Sequence, residues 1–166
     1  AHRREKLAGD LWPDANETNA RSNLRHALWR IRDALSPSAE ILRADHIAMS
    51  FERHQGVHVD ALDVLRTSQH ALVTVDDLMR AAVLYRGEML PGFYDEWVGV
   101  ERVRLAAAFD SIMNRLVTRL IDEARWTEAA HWAAHWMTHG ESTEAACRAL
   151  MTAQHALGSL DGVRAA

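Results

Sequence analysis

The hydrophobic and polar positions of the chain fall into two regimes. From Asn19 to Leu35, Ala20, Leu24, Leu28, Ile31 and Leu35 recur at helical spacing, predicting an amphipathic helix closed by Ser36-Pro37-Ser38. Ahead of it, residues 3–11 read as the end of a helix stopped at Trp12-Pro13-Asp14, because a residue before proline avoids the α region. Behind it, Ile47, Met49 and Phe51 alternate with Ala48 and Ser50. That alternation predicts a hairpin over 41–51 with one buried face, the only hairpin in the chain. Its turn falls at Asp45-His46, where a tight turn prefers Asp-Gly.

After the linker candidate Arg53–His58 the pattern is helical throughout. Asp60 can cap a helix over 61–69, and Thr74 with Asp77 approximates a capping box for 75–86, which Gly87 can end. Pro91-Gly92 marks a turn. Asp95 starts a long helix whose apolar face is Phe109, Ile112, Met113, Leu116, Val117, Leu120 and Ala124. Helices are also predicted over 127–138 and 143–157, broken at Gly140 and Gly158, and another begins near Asp161. A degenerate 34-residue repeat aligns Ala124–Ala129 with Gly158–Val163 and Leu116 with Leu150, the period of tetratricopeptide helix pairs. The expected fold is mainly α. A truncated winged helix with one β-hairpin occupies 1–55, and an all-α, tetratricopeptide-like helical repeat domain occupies 56–166.

Charge separates the same two regions. Residues 1–54 carry nine Lys/Arg against eight Asp/Glu, a net of +1, whereas 55–166 carry ten against fifteen, a net of −5. Eighteen of the nineteen basic residues are Arg, whose planar fork suits phosphates and guanine edges. The longest runs without Asp, Glu, Lys or Arg are twelve residues, 129–140 and 149–160, too short for a membrane span of roughly 18 apolar residues. No charged-then-apolar signal pattern opens the chain, and a single cysteine, Cys147, permits no internal disulfide. Opening on Ala1-His2-Arg3-Arg4 without Met, the chain reads as a piece of a longer protein, with something before His2 left out.

The sharpest chemical signal is the helix 19–35. With Leu24 at the centre of the core face, Arg21, Arg25 and Arg32 cluster to one side of it, beside Ser22, His26 and Trp29. Arg with small polar and aromatic neighbours suits a helix that reads the major groove. The order of helix, polar turn, basic amphipathic helix and hairpin is that of a winged helix-turn-helix. Other candidates carry less. His131, His135 and His139 recur every four residues, a spacing that can bind zinc. They lie opposite the apolar face Ala129, Trp132, Ala133, Trp136 and Met137, so a solvated face is expected and no metal. Of the six tryptophans, all but Trp29 are expected in the core, with Trp126, Trp132, Trp136 and Leu150 buried between antiparallel helices. Cys147 is expected to be inert. No phosphate loop and no nucleophile, acid or base stands in a catalytic setting, so neither enzyme activity nor a cofactor is expected.

Leu11-Trp12-Pro13-Asp14, Ala20-Arg21-Ser22-Asn23-Leu24-Arg25 and Ile31-Arg32-Asp33-Ala34-Leu35 resemble the winged-helix DNA-binding domain of SARP-type activators. The helical remainder of the chain resembles the bacterial transcriptional activator domain that accompanies it. Val59-Asp60, Leu84-Tyr85-Arg86-Gly87-Glu88-Met89-Leu90-Pro91-Gly92, Trp97, Glu101-Arg102, Glu144, Leu150-Met151 and Gly158 carry that likeness. The resemblance implies a cytoplasmic transcription regulator. Arg21, Arg25, Trp29 and Arg32 would face double-stranded DNA, and Arg43 and His46 would lie on the wing. The helical domain would contact a dimer mate or RNA polymerase. Asp45-His46 departs from the usual glycine-containing wing turn. The alternative is a protein–protein interaction or signal-sensing helical-repeat module of a larger signalling protein, which the −5 of the second half fits.

Overall fold

Caps and breaks encoded within a few residues set the helix boundaries. The computed structural model describes residues 1–36, 38–52, 57–141 and 143–158, and only the backbone at 39 and 143. Among these residues there are seven α-helices and one three-stranded sheet, a mainly α fold. Pro37, the linker centre at 53–56 and the expected helix near Asp161 lie outside the described residues. The chain divides into two compact units, residues 1–58 and 59–166.

The first unit runs β1 (His2–Arg3), α1 (Arg4–Leu11), α2 (Glu17–Ala34), a 3-10 turn at Ala39–Ile41, β2 (Leu42–Ala44) and β3 (Ala48–Phe51). α1 stops at Trp12, ahead of Pro13. Asn16 opens α2: its Oδ1 accepts the Asn19 N–H at 2.9 Å, a cap worth about 1 kcal/mol. The helix therefore starts at Glu17, two residues before the expected start at Asn19. Ala20, Leu24 and Leu28 pack with Ala8 and Leu42, flanked by Leu7, Trp12 and Met49. This cluster is small, so it ends before the helix does, and Ile31 is 43% exposed although it continues the stripe.

The sheet contains the expected hairpin, adds a strand to it and corrects one expectation. Its order is β1-β3-β2, both pairs antiparallel, with His2 opposite Met49 and Ala44 opposite Met49. A third strand therefore joins the hairpin; two residues are too few to show a period. Nor does β3 bury one whole face: Met49 packs on the helices, whereas Ile47 and Phe51 are 58% and 50% exposed, beyond the edge of that small cluster. The turn needs no glycine. Asp45 Oδ1 accepts the N–H groups of Ile47 and Ala48, both at 2.7 Å, and the Asp45 N–H donates to the Ala48 carbonyl at 3.0 Å. His46 stays out of the left-handed region, which among the described non-glycine residues only Leu90 and Ala124 enter.

The second unit contains α3 (Asp60–Gln69), α4 (Val75–Leu84), α5 (Glu96–Asp122), α6 (Trp126–His139) and α7 (Thr143–Ala156). α5, 27 residues long, packs against all four others. Its Phe109, Ile112, Met113, Leu116, Val117 and Leu120 are buried, as the periodicity requires. The Thr74–Asp77 capping box is complete: Thr74 Oγ1 accepts the Asp77 N–H at 3.1 Å, and Asp77 Oδ2 accepts the Thr74 N–H at 2.9 Å. α5 ends in a Schellman motif, with the Arg125 N–H on the Leu120 carbonyl and the Ala124 N–H on that of Ile121. Ala124 (φ +55°) therefore leaves the apolar face expected of it and takes the left-handed position usually held by glycine. Thirty-four residues on, Gly158 takes the equivalent position after α7 at φ +74°.

Three arginines of α5 hold the connections. Arg102 pairs with Glu88 at 2.8 Å and donates to the carbonyls of Met89 (2.8 Å) and Leu90 (2.6 Å). It thereby fixes the Leu90-Pro91-Gly92-Phe93 turn, in which the Phe93 N–H donates back to Leu90 and Gly92 sits at φ +88°. Arg115 donates to the carbonyls of Thr67, Ser68, His70 and Ala71, capping the end of α3, and Arg119 donates to that of Val73. Trp136 is buried with its Nε1–H on Asp110 Oδ1 at 2.6 Å. A Cβ on Gly140 would stand 2.4 Å from that indole, so glycine is required there for close approach. Trp97, Trp126 and Trp132 depart from expectation. Ala129, Ala133 and Trp136 form the fully buried line of α6, so Trp126 at its first residue and Trp132 on its flank are half-buried, as is Leu150. Trp97, on the first turn of α5, is 38% exposed.

Candidate nucleic-acid interface

The apolar stripe of α2 faces the first unit's cluster, and that choice turns Arg21, Ser22, Arg25, His26, Trp29 and Arg32 to solvent. Their wiring differs. Arg21 is held by two carboxylates, Glu5 Oε1 at 2.7 Å and Glu17 Oε1 at 2.5 Å. Arg25 and Arg32 make no ion pair or hydrogen bond to any described residue, and neither does Arg30 on the opposite flank. Trp29 is 62% exposed, its ring 6.1 Å from that of His26.

The hairpin adds to this surface unevenly. His46 is exposed at its tip. Arg43 is exposed but paired with Glu52 at 2.8 Å. The Asp45 carboxyl is held below its ordinary range, chiefly by the backbone N–H groups of Ala48 and Ile47, so the tip carries a fixed negative charge satisfied by its own backbone. Arg4, at the start of α1, donates to the Asp45 carbonyl at 2.7 Å.

Two shallow concavities result. One is lined by Arg4, Glu5, Arg21, Arg25, Asp45 and His46, bringing the first half of α2 to the hairpin tip. The other joins Arg32 and Arg43 beside Glu40 and Ser50. Ser22, His26 and Trp29 line neither. Arg4 escaped sequence reasoning because it reaches the tip through the β1–β3 pairing, and β1 is too short to leave a pattern.

The histidines of α6 do not form a uniform solvated face. His131 is exposed, but His135 is half-buried against Phe109 (6.2 Å, edge-on) and Trp132 (5.5 Å), because α6 packs on α5 and α7 together. Its buried Nε2 has no hydrogen-bond partner among the described residues. Burial first, then His139 and His131, push its pKa below the usual histidine range. Among the described residues no three His, Cys, Asp or Glu side chains are placed to hold a metal ion. No described helix is long and apolar enough to cross a membrane.

Compared with known proteins, residues 51–161 match the family model of the bacterial transcriptional activator domain. No curated protein matches the chain.

Proposed function

The chain belongs to the bacterial transcriptional activator domain family, and from that premise we propose that it is part of a cytoplasmic, DNA-binding transcription activator of SARP type. In this reading residues 1–58 are the recognition half of a winged helix-turn-helix. α2 enters the major groove of double-stranded DNA, and the hairpin lies along the backbone. The observation that carries it is Arg25 and Arg32, without a partner among the described residues, on the solvent face of a helix whose other face is buried. Two forks left open on a capped, rigid helix are donors held ready for phosphates and base edges.

The second unit serves assembly or recruitment of RNA polymerase. Arg102, Arg115 and Arg119 are occupied with its own carbonyls and its sequence is net negative, which favours a protein partner over a phosphate backbone. The reading assigns the chain no catalytic step.

The test is a salt-titrated binding assay on the full-length protein, with and without R21A, R25A and R32A. Loss of a phosphate contact weakens all sequences alike and lowers the salt slope by about 1. Loss of a base contact costs about 1–3 kcal/mol and relaxes specificity. Equal affinity of wild type and triple variant overturns the assignment of α2.

A further inference from the structure

Trp29 is the largest side chain that α2 leaves in solvent. It is 62% exposed, its one ring neighbour among the described residues is His26 at 6.1 Å, and its indole N–H has no described acceptor. It stands four residues after Arg25 and three before Arg32, on the same solvent side of the helix. At 1.5 Å per residue the two open forks leave the helix about 10 Å apart along its axis, about three base steps of a duplex, and the indole leaves it between them. The surface around the ring is polar: Ser22, Arg25, His26 and Arg32 are its exposed neighbours. The ring alone offers about 100–150 Å² to a partner, against about 800 Å² per side of a stable protein interface. A lone ring between two cationic forks therefore fits a narrow apolar feature on an anionic surface better than a second protein.

We propose that Trp29 determines sequence specificity by reading a thymine in the major groove, so that the DNA bound by α2 carries a thymine between two guanines about three base steps apart. This rests on the reading that α2 enters that groove, and it names the class of sequence met there. The argument is chemical complementarity at the base edges. Thymine is the only base with an apolar group in the major groove, its C5-methyl, and it sets the O4 acceptor beside it. The indole presents the complement of that pair, an apolar ring and one N–H donor. Cytosine offers an amino donor, guanine two acceptors and adenine one of each, so over those edges the ring finds no apolar contact. The flanking forks take the guanines, because O6 and N7 together match a guanidinium and only guanine offers both.

Selection of duplexes from a random-sequence library by the full-length protein tests this, followed by replacing single thymines with deoxyuridine, which removes the methyl and nothing else. The wild type is expected to enrich one thymine between two guanines. It should lose about 3–10-fold in affinity when that thymine alone becomes deoxyuridine. Trp29→Ala should bind the selected duplex about 10-fold more weakly and treat thymine and deoxyuridine alike. It should keep both guanines and the wild-type salt slope, because no phosphate contact is lost. Trp29→Phe, which keeps a ring and lacks the N–H, should retain the preference for the methyl. Folding does not confound the comparison, since a misfolded variant would lose the guanines as well. A wild type indifferent to deoxyuridine at every position, or an Ala variant that still tells the two bases apart, overturns the role of Trp29. If Arg25→Ala and Arg32→Ala still weaken binding in that case, the proposed function stands without it. If the wild type enriches no sequence at all, both fall together.

Discussion

α2 and α5 are both arginine-bearing helices, yet their arginines are wired in opposite ways. On α5 the guanidinium groups of Arg102, Arg115 and Arg119 turn inward to loops and end on backbone carbonyls. On α2, Arg25 and Arg32 end in solvent. The lesson is that the count of arginines says little about anion binding; the fraction left unpaired after folding says more. A fork committed to carbonyls contributes stability where it sits. A fork left open contributes little to stability and is available to a ligand.

The most direct way to break this contrast is by substitution. Arg115→Ala removes a charged donor from four carbonyls at the end of α3 and is expected to destabilise the second unit by about 2–3 kcal/mol. Arg115→Lys should recover only part, because a compact ammonium cannot span the same acceptors. Arg25→Ala and Arg32→Ala are expected to stay within about 0.5 kcal/mol of wild type. Urea melts of the four variants check this, and equal losses at α2 and α5 would erase the distinction.

Much of the fold is legible in the sequence because helix signals are local. The Thr74–Asp77 pair and the glycine breaks each act within four residues, so the helices fall close to their predicted bounds, whereas the Asn16 cap, passed over in the sequence, starts α2 two residues early. The 34-residue repeat is legible for the same reason: Ala124 and Gly158, aligned by it, are both left-handed helix ends. Illegible is whatever depends on distant partners. Arg115 meets carbonyls more than forty residues away, β1 consists of two residues, and the helical wheel of α6 assumes one packed face where α5 and α7 supply two. That assumption misplaced His135. At the candidate interface, the solvent side of α2 follows from its stripe, but the carboxylates on Arg21 and Arg43 do not.

His135 sharpens the comparison through pH. Its folded pKa is depressed by burial, so the unfolded chain takes up the proton first as pH falls. Its contribution is complete above the unfolded value of about 6.5 and is lost progressively below it, toward the folded value. Thermal melts between pH 8 and pH 5 should show the second unit weakening, and His135→Leu should flatten that part of the profile. A profile unchanged by the substitution would place the acid sensitivity elsewhere.

The smallest expected effect is a gain. Ala124→Gly relieves a Cβ in the left-handed region at some cost in chain entropy, and should stabilise the second unit by about 0.5–1 kcal/mol. A melt showing loss instead would mean that the Ala124 methyl contributes more than its strain costs.

The two carboxylates on Arg21 change the kind of equilibrium this residue enters. Glu5 and Glu17 are anions already seated on the fork, tethered by the same chain and so present at a constant high local concentration. A phosphate reaching Arg21 therefore takes part in an exchange in which carboxylate leaves as phosphate arrives, while at Arg25 and Arg32 it simply adds. An exchange yields less net energy than an addition and releases fewer bound counterions. Under the proposed reading, Arg21 would discriminate among anions by their strength and geometry rather than attract whichever comes near. Along this flank of α2, the open forks of Arg25 and Arg32 would then set how tightly an anionic surface is held, and Arg21, already occupied, how good that surface must be.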